Sequence, residues 1–135
     1  MTNAELIQEA KKARERSYSP YSGFRVGAAL LTKSGKVYHG CNIENAAYSP
    51  TNCAERTALF KAVSEGETEF VAIAVVGGLG DTLSDVCAPC GVCRQVLAEF
   101  CTGDFKIVMG TPDKIVTSTL ADLLPYSFGK VNLSK

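Results

Sequence analysis

Two short stretches of this chain make chemical sense only if the fold brings them together: Asn52-Cys53-Ala54-Glu55-Arg56 and Pro89-Cys90-Gly91-Val92-Cys93-Arg94. Each stands where a loop gives way to helical spacing. The first offers a thiol with a carboxylate two residues on, and the second offers two thiols at i and i+3. On a first helical turn that spacing puts both Cβ atoms on one face, roughly 5–6 Å apart. The partial positive charge of a helix N-terminus also favours thiolate over thiol. Three thiolates with an open fourth position are the ligand set of a catalytic zinc, and a neighbouring carboxylate is what such a site needs to move protons. A fold for this chain therefore has to aim two helix starts at one point.

Each piece taken alone also has a plainer meaning. Asn52 to Glu55 reads equally as a capping box, with Asn52 as N-cap and Glu55 at N3. Cys90 and Cys93 fit a redox dithiol as well as a metal pair. If Cys53 and Glu55 were both helical they would lie about 200° apart around the axis, on opposite sides; Cys53 has to sit at or before the first helical residue for the two to act together. A fourth sulfur from Cys87 or Cys41 would close the zinc and make it structural. The simplest expectation for Cys41, Cys87 and Cys101 is a buried small residue or a bystander. Three thiolates leave zinc with a net charge near −1, so a nearby arginine is expected to draw that charge off. Arg56, adjacent to Glu55, is the stronger choice over Arg94.

The bulk numbers narrow the class. A length of 135 residues suits one domain, 1–135, with an ordinary core. Basic and acidic residues balance at 14 each, so no nucleic-acid partner held by charge is expected, and a small-molecule substrate fits better. No apolar run approaches the roughly 20 residues of a membrane span, and the first residues lack the basic and apolar regions of a signal peptide. Six cysteines without such a signal read as metal or redox chemistry rather than a disulfide framework, which points to the cytoplasm. The single histidine, His39, falls on a strand, so a histidine base is not expected.

In chain order, the spacing of Leu6, Ile7, Ala10, Ala13 and Arg14 predicts a helix over 3–17 with Asn3 as N-cap. Residues 24–31 and 37–42 read as a hairpin around Lys33-Ser34-Gly35-Lys36. A polar loop runs from Asn42 to Asn52, and a helix follows over 53–65 with Gly66 ending it. Phe70 to Val76 is apolar on both faces, as a central strand would be. A second helix opens near Cys90, and strands are expected at 106–109 and 115–117. Thr119 then caps a short helix ended by Pro125. The order α-β-β-α-β-α-β-β-α predicts a mixed sheet covered by helices on both faces, an α/β three-layer arrangement.

Cys53-Ala54-Glu55 together with Pro89-Cys90-x-x-Cys93 resembles the cytidine deaminase family in its small, three-cysteine form. The resemblance extends over nearly the whole chain, through Tyr18-Ser19-Pro20-Tyr21-Ser22, Phe24-x-Val26-Gly27-Ala28-Ala29, Gly40 to Ser49 and Leu124-Pro125-Tyr126-Ser127-Phe128. It implies a five-stranded sheet, one zinc per chain on Cys53, Cys90 and Cys93, and hydrolytic deamination of cytidine and 2′-deoxycytidine with Glu55 shuttling protons. It further implies that Asn42 and Glu44 hold the ribose 3′-hydroxyl, that Phe24 packs on the pyrimidine beside Ala54, and that the assembly is a homotetramer. In that assembly Phe128, Ala46 and Tyr48 reach across to a neighbouring subunit's pocket. A related deaminase of another aminonucleoside or free base, a thiol–disulfide oxidoreductase and a structural zinc-binding interaction domain are the other readings.

Overall fold

The structure, a computed structural model, describes residues 1–134. Its elements follow the expected order: α1 (Asn3–Arg14), β1 (Phe24–Thr32), β2 (Val37–Cys41), α2 (Ala54–Ser64), β3 (Phe70–Leu79), α3 (Gly91–Phe100), β4 (Lys106–Thr111), β5 (Lys114–Thr119) and α4 (Leu120–Leu123). A 3₁₀ turn at Lys130–Leu133, for which the sequence carried no pattern, closes the described chain. No helix among the described residues is long and apolar enough to cross a membrane.

The five strands form one mixed sheet in the order β2-β1-β3-β4-β5. β1 pairs antiparallel with both β2 and β3, β4 pairs antiparallel with β5, and β3 runs parallel to β4. A parallel pair needs a crossover, and α3 supplies it. The Cys90–Cys93 stretch therefore comes directly after the loop leaving the C-terminal end of β3.

Alternation along β3 divides the core into two. Ala72, Ala74 and Val76 face α1, where they meet Leu6, Ile7 and Ala10, while Ile73 and Val75 face α2, α3 and α4 among Ala58, Leu59 and Leu97. Each fully buried Leu, Ile or Val there contributes about 1.5–3 kcal/mol. Glycines let the helices come close. A Cβ on Gly27 would fall 2.1 Å from the Ala10 carbonyl oxygen of α1, and one on Gly40 would fall 2.2 Å from the Ala54 carbonyl oxygen of α2. Gly40 thus sets how near the first turn of α2 lies to the sheet.

Three local expectations change. Thr2, not Asn3, caps α1, its Oγ1 accepting from the Glu5 amide at 3.1 Å. Helix α1 stops at Arg14 instead of residue 17, because 15–17 tighten into i→i−3 bonds. The 42–52 segment is less loop-like than its polarity suggests: Ile43 and Asn52 exchange both backbone hydrogen bonds at 2.9 Å, and Ile43 also bridges Tyr18. That pairing ties Asn42 to Glu44 against the residue preceding Cys53.

Candidate metal and proton-transfer site

The sulfurs of Cys53, Cys90 and Cys93 converge, all within 4.8 Å of one another. Cys53 and Cys90 are 3.6 Å apart, close to the about 3.8 Å that tetrahedral geometry with Zn–S bonds of about 2.3 Å imposes. All six cysteines are free thiols. Neither Cys87 nor Cys41 joins the group among the described residues, so no fourth sulfur closes it.

Both helix starts place a cysteine at the N-cap. Cys53 caps α2 in extended backbone (φ −78°, ψ 157°), and Cys90 caps α3 likewise (φ −67°, ψ 167°), its sulfur accepting from the Cys93 amide at 3.5 Å. The capping box is overturned: Asn52 lies outside the helix and its amide donates to Thr57 Oγ1 at 3.1 Å. Glu55 is consequently the second helical residue, and the 200° separation does not arise, because Cys53 precedes the helical turn.

Glu55 is 4% exposed. Burial raises its carboxyl to about 7, with the neighbouring Cys53 charge adding to the rise; the Cys93 thiol and the Arg56 guanidinium pull the other way. Cys53 is brought down to about 5 by its hydrogen bond with Cys93 and by Arg56, whereas that same partnership with Cys53 drives Cys93 up. Three sulfurs this close, of which Cys93 is buried, Cys53 half-buried and Cys90 exposed, cannot all ionise beside one another unless a cation sits among them. The donor set is therefore the soft, closely spaced thiolate set that suits zinc.

The two arginines separate cleanly. Arg56 Nη2 donates to Cys53 Sγ at 3.2 Å, and the thiolates hold its guanidinium above the ordinary range. Its Nε is buried with no partner among the described residues. Arg94 instead donates to the carbonyls of Pro89 at 2.7 Å and Leu123 at 2.8 Å, bracing α3, and donates to no sulfur among the described residues.

The remaining residues lie in two settings. Asn42 is buried, accepting from the Val26 amide at 2.9 Å and the Ser17 hydroxyl and donating to the Phe24 carbonyl at 2.8 Å. Glu44 accepts from the Tyr21 and Ser22 amides at 3.0 and 3.1 Å and from the Ser22 hydroxyl, which together hold its carboxyl below the usual range. It lines a cleft of about 330 Å³ with Tyr21, Ser22, Asn45, Tyr48 and Thr51. Phe24 is half-buried and Ala54 fully buried, while Ala46, Tyr48 and Phe128 are exposed, Tyr48 to 73% and Phe128 to 59%. His39 pairs with Glu9 at 2.9 Å, away from the sulfurs. The sequence reading missed Gly40, whose place inside a strand was the available signal.

Comparison with known proteins agrees with this chemistry. The family model for the cytidine and deoxycytidylate deaminase zinc-binding region matches residues 1–110. The chain is 58% identical over 130 residues to a cytidine deaminase of Sporosarcina psychrophila, covering 96% of this chain and 93% of that one. It is 57% identical over 124 residues to a cytidine deaminase of Halalkalibacterium halodurans, covering 91% of each. The fold is similar to the crystal structure of cytidine deaminase from Burkholderia pseudomallei, with a TM-score of 0.87 at 50% identity and coverage of 95% and 100%.

Proposed function

Since this chain belongs to the cytidine and deoxycytidylate deaminase family, we propose that it hydrolyses cytidine and 2′-deoxycytidine to uridine and 2′-deoxyuridine, releasing ammonia in pyrimidine salvage. The observation that carries this reading is the convergence of three sulfurs from two helix starts, one of which also carries the buried carboxyl of Glu55. Cys53, Cys90 and Cys93 would hold one zinc per chain, which when bound would lower the pKa of water toward neutrality.

Glu55 then does the proton work. Its carboxylate takes a proton from water as the oxygen adds to C4 of the pyrimidine, and delivers one to ring N3. It next takes the proton of the new C4 hydroxyl and carries it to the amino group, so that the C4 carbonyl forms as the C4–N bond breaks and ammonia leaves. A carboxyl near 7 gives and takes protons with little penalty in either direction. Arg56 draws negative charge from Cys53 through its hydrogen bond. Asn42, with one amide hydrogen beyond its bond to Phe24, and Glu44 hold the ribose 3′-hydroxyl, while Phe24 and Ala54 flank the base. The assembly in this reading is a cytoplasmic homotetramer in which Tyr48 and Phe128, both exposed in the single chain, complete a neighbour's pocket together with Ala46.

Ultraviolet monitoring of cytidine loss tests the reading. Turnover is expected to stop with a strong chelator, return with zinc, and fail for free cytosine. Turnover of a dithiol–disulfide couple by metal-free protein, with cytidine untouched, would replace it with an oxidoreductase.

A further inference from the structure

Arg14, the last residue of α1, is 7% exposed, yet none of the ion pairs among the described residues includes it. Its partners are carbonyls. Nε donates to Arg25 at 2.9 Å, and Nη2 is shared among Gly78 at 2.8 Å, Gly80 at 2.5 Å and Thr82 at 3.1 Å. Burying a guanidinium is costly, and backbone acceptors are here what offsets it. Those acceptors come from three places: the start of β1, the end of β3 and the loop that follows β3.

The loop folds back on the strand it has just left. Thr82 donates to the Leu79 carbonyl at 3.0 Å and Ser84 to the Gly77 carbonyl at 2.8 Å. A Cβ on Gly78 would fall 1.9 Å from the Thr82 oxygen. One residue earlier, a Cβ on Gly77 would meet Cys87 Sγ at 2.7 Å and Phe24 Cε1 at 3.1 Å. Cys87 and Phe24 therefore both cover the same face of Gly77, and Gly80 donates to the Gly23 carbonyl at 3.2 Å, joining the loop to the residue before Phe24.

We propose that Arg14 is a positioning residue: by holding the fold-back of residues 78–82 it seats Cys87 beside Phe24 over Gly77, and so fixes the wall on which the pyrimidine rests. The assignment of that wall to the base rests on the deaminase reading. The fork geometry matters, because a guanidinium donates in several fixed directions from one plane, whereas an ammonium presents its donors from a single point. Lysine keeps the charge and loses the clamp.

The test compares zinc-loaded wild type with Arg14→Lys and Arg14→Met, using iodoacetamide labelling mapped by mass spectrometry together with KM and kcat for cytidine. Cys101, half-buried at the far end of α3, is the internal control. Cys87 is expected to label about tenfold faster in both variants through local opening, with Cys101 at the wild-type rate. KM is expected to rise about tenfold, with kcat moving less. If Arg14→Met fails to fold, Arg14→Lys carries the test. Parallel acceleration at Cys87 and Cys101 would mean a general loss of stability and overturn the proposal. Unchanged labelling overturns it too, as does an unchanged KM once Cys87 has opened. A wild type that leaves cytidine untouched removes the deaminase reading, and the labelling then still decides the Arg14 clamp.

Discussion

The two helix starts that meet at the sulfurs are built alike and placed differently. Each is capped by a cysteine in extended backbone, and each presents its first turn to the same point. At α2 the following residues, Ala54 and Glu55, are 0% and 4% exposed, with the Ala54 carbonyl close over Gly40 of the sheet, whereas at α3 Cys90, Gly91 and Val92 are all exposed. Burial is what raises the Glu55 carboxyl to about 7; the same carboxylate at the α3 start, in water, would keep an ordinary value. One start is thus fitted for proton transfer as well as metal binding, and the other for metal binding alone.

The sharpest way to break this division is Glu55→Gln. The amide fills the same space but neither takes nor gives a proton, so kcat for cytidine should fall by at least the ~10²–10⁴-fold of general acid–base catalysis. Zinc content after dialysis should stay at the wild-type level, because all three sulfurs remain. A variant that deaminates at near wild-type rate would take the proton work away from α2.

Arg56→Gln probes the same start more gently. Its guanidinium is the group that donates to Cys53 Sγ, at 3.2 Å. Removing a hydrogen bond to a metal ligand typically costs 10–100-fold in metal affinity or activity, and a loss of about that size in zinc affinity, read by chelator competition, is expected. Arg94→Gln, which gives up only carbonyl contacts on the α3 side, should leave zinc affinity unchanged and lower thermal stability alone. Equal losses of zinc in both variants would erase the difference between the two starts.

How far each start could be read in advance follows the same division. The α3 start was legible because Cys90 and Cys93 carry their relation in their spacing. The α2 start was ambiguous: whether Asn52 or Cys53 caps the helix depends on the backbone angles of Cys53. Those are set by Ile43 pairing with Asn52, a contact between segments that no local pattern reports. The sheet order was accessible at the level of layers, since β3 is apolar on both faces and had to be central. Arg14 appeared in the apolar stripe of α1 as a charge with no visible reason; its acceptors are backbone carbonyls from Arg25 to Thr82, and carbonyls have no sequence signature.

The smallest expected effect comes from a glycine that the exposed start can spare. Gly91 is the first residue of α3, its φ lies outside the left-handed region, and a Cβ there would meet nothing within 4 Å. Gly91→Ala should therefore stabilise by roughly 0.4–1 kcal/mol, mainly by reducing the freedom of the unfolded chain. That corresponds to a rise in Tm of about 1–5 °C in a thermal melt, given the entropy of unfolding of a domain this size. Zinc content should not change. The same substitution at Gly40 would drive a methyl group onto the Ala54 carbonyl oxygen 2.2 Å away and displace the turn that carries Glu55. A fall in Tm for Gly91→Ala would mean that the α3 start is as tightly enclosed as the α2 start, and the contrast between them would fail.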